Sequence, residues 1–223
     1  GEELAPGKNQ FVALWGPGGT GKTTLAAEVV RTMEDTFGDH VVWVSPLRRA
    51  DFSSATLLDE IATQRGREDL RRLAPGPKAA QVAALISESP TLIILDNFET
   101  VTKEEEARCL DFLAQSATCP VLITTRAFID RDDVTNIELA AMEMDEASEF
   151  LRRLIERTPK KQNFKSLDHD DLIKKCEANP LLLQWVVRQI VLSKTPQTAL
   201  DYLSQGEGDA AATGRGLVTH RPA

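Results

Sequence analysis

Gly16-Pro17-Gly18-Gly19-Thr20-Gly21-Lys22-Thr23 decides how this chain is read. The octet fits G-x-x-x-x-G-K-[ST], a glycine-rich loop that cradles phosphates. Its setting agrees. Phe11-Val12-Ala13-Leu14-Trp15 before it is an apolar run of strand length, and Thr24-Leu25-Ala26-Ala27-Glu28-Val29-Val30 after it reads as a helix. Gly16, Gly18, Gly19, Thr20 and Gly21 are the expected cradle. Glycine tolerates positive φ and close backbone approach, so successive N–H groups can point inward as an anion nest at the positive end of a helix dipole. Lys22 is expected to reach the β- and γ-phosphates as a point charge, and the Thr23 hydroxyl to ligate Mg²⁺. Thr24 offers a second hydroxyl, for the α-phosphate. A glycine turn that binds nothing is the competing reading; a chance match in a chain of this composition has odds of about one per cent.

Two further segments complete the expected site. Leu92-Ile93-Ile94-Leu95-Asp96 is an apolar strand ending in an acid, about 75 residues after the loop, where a carboxylate can hold Mg²⁺ directly or through water. The competing role for Asp96 is to cap the following turn. Asn97 follows, where many ATPases carry a second acid. An amide positions water but is a poor base, so either Glu99 is the general base or turnover is slow; Glu99 could equally cap the next helix. Val121-Leu122-Ile123-Thr124-Thr125-Arg126 places a guanidinium at a strand end, where it can sense a γ-phosphate and stabilise charge in the transition state.

The remaining chain is organised around this loop. The helix after it is expected to run to about Thr36, with Gly38 ending it. His40–Ser45 reads as the second strand. Asp51 or Ser53 caps a helix reaching about Gln64, Arg65–Lys78 is irregular, and Ala79–Glu88 is a helix. Thr91–Leu95 is the third strand, Lys103–Gln115 a helix, Pro120–Thr125 the fourth strand and Thr135–Leu139 the fifth. Alternation of this kind predicts a parallel sheet with helices on both faces, with ligands at the carboxyl ends of its strands. Beyond it lie four helices, over 145–157, 168–178, 180–193 and 196–203. The expected division is therefore a lead-in over 1–10, a nucleotide-binding domain over 11–140, a helical subdomain over 141–205 and a flexible tail over 206–223.

The 223 residues carry a formal net charge of −8, which argues against a protein that coats nucleic acid. Cys109, Cys119 and Cys176 have no C-x-x-C spacing and read as small apolar residues of a reducing compartment. The acidic run Glu104-Glu105-Glu106 reads as a solvated helix face. No apolar run approaches the roughly 18 residues of a membrane span, and no signal sequence opens the chain, so a cytoplasmic protein is expected.

Taken in order, Gly16–Thr23, Trp43, Leu92–Asp96, Thr124-Thr125-Arg126 and Asn179-Pro180-Leu181 resemble the nucleotide-binding oligomerisation domain of STAND ATPases. This is the NB-ARC type of plant resistance proteins, the apoptosome and bacterial signalling proteins. The resemblance covers Phe11 to about Leu203. It implies a P-loop NTPase five-stranded sheet followed by a small all-helical subdomain, ATP/ADP and Mg²⁺ as cofactors, and slow ATP hydrolysis. It also implies a switch in which exchange of ADP for ATP drives self-association and activates a fused effector. Asn179-Pro180-Leu181 resembles the family's G-L-P-L segment, so adenine contact carries over to Pro180 with Leu181 beside it, and the sensor role to Arg126. The sequence departs from the family pattern at Asn97. With ten residues before the first strand and no winged-helix, effector or sensor domain, it is expected to be a fragment of a longer signalling protein. Partners would then lie in those other domains, with no membrane and no direct nucleic acid.

Two other classes compete. A P-loop kinase or transferase acting on a small molecule would need an Arg-rich lid, for which Arg65, Arg67, Arg71 and Arg72 are the candidates. An AAA+ ATPase processing DNA would need a basic aromatic groove.

Overall fold

Each of the five expected strands forms: β1 is Phe11–Trp15, β2 Val41–Val44, β3 Leu92–Leu95, β4 Val121–Thr125 and β5 Val134–Glu138, the last one residue earlier than expected. The computed structural model describes residues 11–47, 49, 51–116 and 119–192. The lead-in, the helix expected over 196–203 and the tail lie outside them. All pairings are parallel, in the order β2-β3-β4-β1-β5. Parallel neighbours need crossovers. These are α1 (Lys22–Thr32) and α2 (Glu34–Phe37), then α3 (Ser54–Gln64) and α4 (Pro75–Ser87), then α5 (Lys103–Ser116). A loop over 126–133 joins β4 to β5. Because β1 lies between the two strands that end the order of travel, its carboxyl end faces the crevice where such sheets bind ligands.

The unbroken apolar runs of the inner strands β1, β3 and β4 follow from burial on both faces, whereas the edge strand β5 is mostly polar and exposed. Phe11, Ala13, Val44, Leu95 and Ile123 point to one side, under Leu57 and Ile61 of α3, Val82 of α4 and Leu110 of α5. Val12, Leu14, Ile94 and Leu122 point to the other, against Ala26 of α1 and Phe37 of α2. The edge strand β2 is closed by a side chain: the Gln64 amide accepts from Trp43 N and donates to Trp43 O, both at 2.8 Å. That blunts an edge otherwise open to pairing.

Several boundaries differ from expectation. The helix after the loop stops at Thr32, because the Thr32 hydroxyl donates to the Val29 carbonyl and the chain re-forms a short turn, α2, that ends at Gly38 with φ 50°. Helix α4 begins at Pro75, four residues before Ala79. Proline is favoured in a first turn, where its missing N–H has no partner to lose, so Pro75-Gly76-Pro77 opens the helix instead of blocking it. Within the stretch read as irregular, Glu68–Arg72 makes a 3-10 turn. Ser53, not Asp51, caps α3 by accepting from Thr56 N. The acids Glu104, Glu105 and Glu106 are engaged with Arg108 and Lys103 along α5.

The chain divides into two compact units, residues 1–140 and 141–223. In the second, α6 (Met144–Glu156), a 3-10 turn at Lys161–Phe164, α7 (His169–Lys175) and α8 (Pro180–Leu192) enclose Ala147, Leu151, Phe164, Ile173, Leu183 and Val186. Helix α7 ends at Lys175, short of the expected Ala178, because Glu177 and Ala178 adopt left-handed φ of 51° and 49°. Asn179 then starts α8, its Oδ1 accepting from Leu181 N and Leu182 N. No helix among the described residues is long and apolar enough to cross a membrane.

Candidate functional site

The loop between β1 and α1 takes conformations that its glycines permit. Gly16 has φ 144°, Gly19 83° and Gly21 99°. At Gly16 a second constraint applies: a Cβ would sit 2.4 Å from the Leu139 carbonyl oxygen at the end of β5. The Thr20 hydroxyl donates to Pro17 O at 3.0 Å and closes the loop on itself. Lys22 opens α1. Its buried ammonium donates to Gly16 O at 2.8 Å and Pro17 O at 2.6 Å, which aligns it along the loop. Burial pushes its pKa below the ordinary lysine value; the charge of Glu99 opposes that shift, Arg126 adds to it and Asp96 opposes it. Thr24 lies exposed in the first turn of α1.

Asp96 follows β3 and is 5% exposed. Its N–H donates to Val44 O at 2.9 Å, and its own carbonyl accepts from Ser45 Oγ at 3.2 Å. Oδ1 accepts from Thr23 Oγ1 and from Thr124 Oγ1, each at 2.7 Å, while Oδ2 accepts from Asn97 Nδ2 at 2.8 Å. The donor set is a carboxylate and neutral hydroxyls, hard oxygen ligands that suit Mg²⁺. Asn97 stands in the left-handed region at φ 57° and donates its N–H to Thr124 Oγ1 at 2.9 Å.

Glu99 lies in the 3-10 turn Phe98–Thr100 rather than at the start of α5. The helix-cap role falls to Thr102, whose hydroxyl accepts from Glu105 N. Glu99 Oε1 instead meets Arg126 Nε at 3.1 Å. The Arg126 guanidinium lies over the loop, 3.4 Å from where a Gly18 Cβ would be. Lys22, Thr23, Asp96, Glu99 and Arg126 are thus brought together at the carboxyl ends of β1, β3 and β4. Pro180 and Leu181 open α8 in the second unit, with Leu181 exposed.

Ser45 carries no signal in the sequence, and Thr124 enters there only as part of Thr124-Thr125-Arg126, with no role of its own. Thr124 did carry a signal, a hydroxyl inside the apolar run of β4. The register Leu95↔Ile123 sets its successor position beside Asp96.

The model of the NB-ARC domain family matches residues 2–160. The chain belongs to that family. It is an NB-ARC domain, a P-loop nucleotide-binding module of a kind that usually works with Mg²⁺. No curated protein sequence matches it. Among solved structures, this NB-ARC chain resembles Drosophila ORC bound to DNA (TM-score 0.61, 12% identity, 93% of this chain and 64% of that one). It also resembles a STAND protein with a tetratricopeptide repeat sensor from Pyrococcus horikoshii (TM-score 0.55, 18% identity, 89% and 30%). A third similar structure is Cdc6p from Pyrobaculum aerophilum (TM-score 0.52, 16% identity, 96% and 59%). At these identities the likeness is one of fold, and the NB-ARC chain spans less than two thirds of each structure's length.

Proposed function

We propose that this NB-ARC domain is an ATP/ADP switch, in which nucleotide exchange controls self-association of a longer protein and activation of its effector. The observation that carries the reading is the convergence of Thr23 and Asp96, bonded at 2.7 Å, beside Lys22 and Arg126 at one end of the sheet. In this reading the loop N–H groups and Lys22 hold the phosphates. Thr23 and Asp96 hold Mg²⁺, which supplies charge neutralisation for the β- and γ-oxygens. Thr124 and Asn97 fix the Asp96 carboxylate, Arg126 senses the γ-phosphate, and Pro180 with Leu181 meets the adenine. Thr24 supports the α-phosphate. Hydrolysis is slow because Asn97 stands where an acid would be; Glu99 is the remaining carboxylate able to take a proton from water.

The kinase alternative loses support in its lid. Arg67 is paired with Asp69, and Arg65 donates to Ser89 Oγ at 2.7 Å, so both serve the local structure. A DNA-handling role, suggested by the ORC complex, meets a net charge of −8.

The test compares the mass of the chain in solution, and of a longer form carrying the following domains, with Mg²⁺ and either ADP or a non-hydrolysable ATP analogue. The switch reading expects a larger species with the triphosphate in the longer form. Equal masses in both nucleotides, or phosphate transfer to an added small molecule, would count against it.

A further inference from the structure

Glu99 and Arg126 form a contact that no phosphate role requires. Arg126 is 59% exposed in its side chain and Glu99 19%, so the carboxylate is the fixed partner and the guanidinium the movable one. The pair lies across the loop, with the guanidinium beside Gly18, where a terminal phosphate would come. Glu99 Oε1 is taken by Arg126, while Oε2 is buried and lacks a hydrogen-bond partner among the described residues. A buried carboxylate oxygen without a protein donor is costly. The Glu99 charge also acts on the Lys22 ammonium, opposing the lowering of its pKa by burial.

We propose that Glu99 is a specificity-determining residue that stands in for the γ-phosphate at Arg126, and so sets the preference of the site for a nucleoside diphosphate over a triphosphate. The inference rests on the nucleotide-site reading above. With a diphosphate, Arg126 keeps its carboxylate partner and no charge is left alone. A triphosphate must take the guanidinium from Glu99 and accept a negative carboxylate near its own terminal charge. Only the difference between the two ligands' interactions shifts the preference; contacts common to both cancel. The same exchange frees Oε1, so the carboxylate that could accept a proton from water loses its cationic partner only after the γ-phosphate has engaged Arg126.

The test is a double-mutant cycle on the ratio of triphosphate to diphosphate affinity, measured on the full chain by titration with Mg²⁺-ADP and a Mg²⁺-bound non-hydrolysable ATP analogue. Glu99→Gln keeps the shape and removes the charge. It should shift the ratio roughly 5- to 20-fold toward the triphosphate, any effect of the lost charge common to both ligands cancelling in the ratio. Arg126→Gln should shift the ratio toward the diphosphate, and adding Glu99→Gln to it should recover less than the single change gives, since the partner is gone. An unchanged ratio in Glu99→Gln, or strict additivity of the two changes, overturns the proposal. Loss of all nucleotide binding by the unmodified chain is a different result: it removes the underlying site.

Discussion

Thr23 Oγ1 donates to Asp96 Oδ1 at 2.7 Å, joining two residues 73 positions apart. One ends the phosphate loop and the other follows the buried strand β3, so a single hydrogen bond ties together the two residues proposed to hold Mg²⁺. Thr124 Oγ1 donates to the same oxygen at 2.7 Å, so two hydroxyls from different elements fix where that carboxylate oxygen points. Thr23→Ala and Asp96→Asn should each leave a folded protein whose nucleotide affinity no longer responds to Mg²⁺. Titrations with and without the metal check this, with a fall of about tenfold or more expected only in its presence.

Gly16 is fixed by two independent constraints, a φ of 144° and the Leu139 carbonyl 2.4 Å from any Cβ. Both involve backbone, which cannot swing aside as a side chain can. Gly16→Ala should therefore destabilise the first unit by about 2–4 kcal/mol. Denaturant midpoints measure it. Gly21→Ala has φ strain but open space around it, so its cost should be smaller, about 1 kcal/mol.

The Glu177-Ala178 reversal before α8 holds two non-glycine residues in the left-handed region. Ala178→Gly relieves the backbone there and should stabilise the protein by about 0.5–1 kcal/mol, net of the extra freedom it gives the unfolded chain. A higher melting temperature for the variant is the expected reading.

Lys22 carries a pH signature. Its folded-state pKa lies below the ordinary lysine value because burial disfavours the ammonium. Between that lowered value and about 10.4 the unfolded chain holds a proton that the folded chain has released, so this group makes stability rise with pH across that window. Below the window both states are protonated and the cost of burying the charge is fully present. Denaturant midpoints at about pH 8 and about pH 10 should show this contribution in the native chain and lack it in Lys22→Met.

Much of this was legible in the sequence because the informative residues are short-range or strongly patterned. The octet 16–23 carries its own geometry, and four apolar runs bounded by turn residues specify a buried parallel sheet. What escaped depends on proximity across strands. Thr124 looks like any strand threonine until the β3–β4 register sets it beside Asp96. The Glu99–Arg126 pair joins residues on separate turns, and neither residue type names the other. Helix ends were misplaced where a side chain outvoted propensity, as with Thr32 bonding back to Val29, or where proline opened a helix at Pro75.

Lys22 and its loop are proposed to bind the nucleotide phosphates. Calorimetric titration of ADP and of ATP with Mg²⁺, on the chain and on Lys22→Ala, tests this most directly. Saturable heats with the native chain, lost or weakened by about 100-fold in the variant, are the predicted result. Equal binding by both proteins would contradict the account, because the phosphates would then be held somewhere other than the loop between β1 and α1.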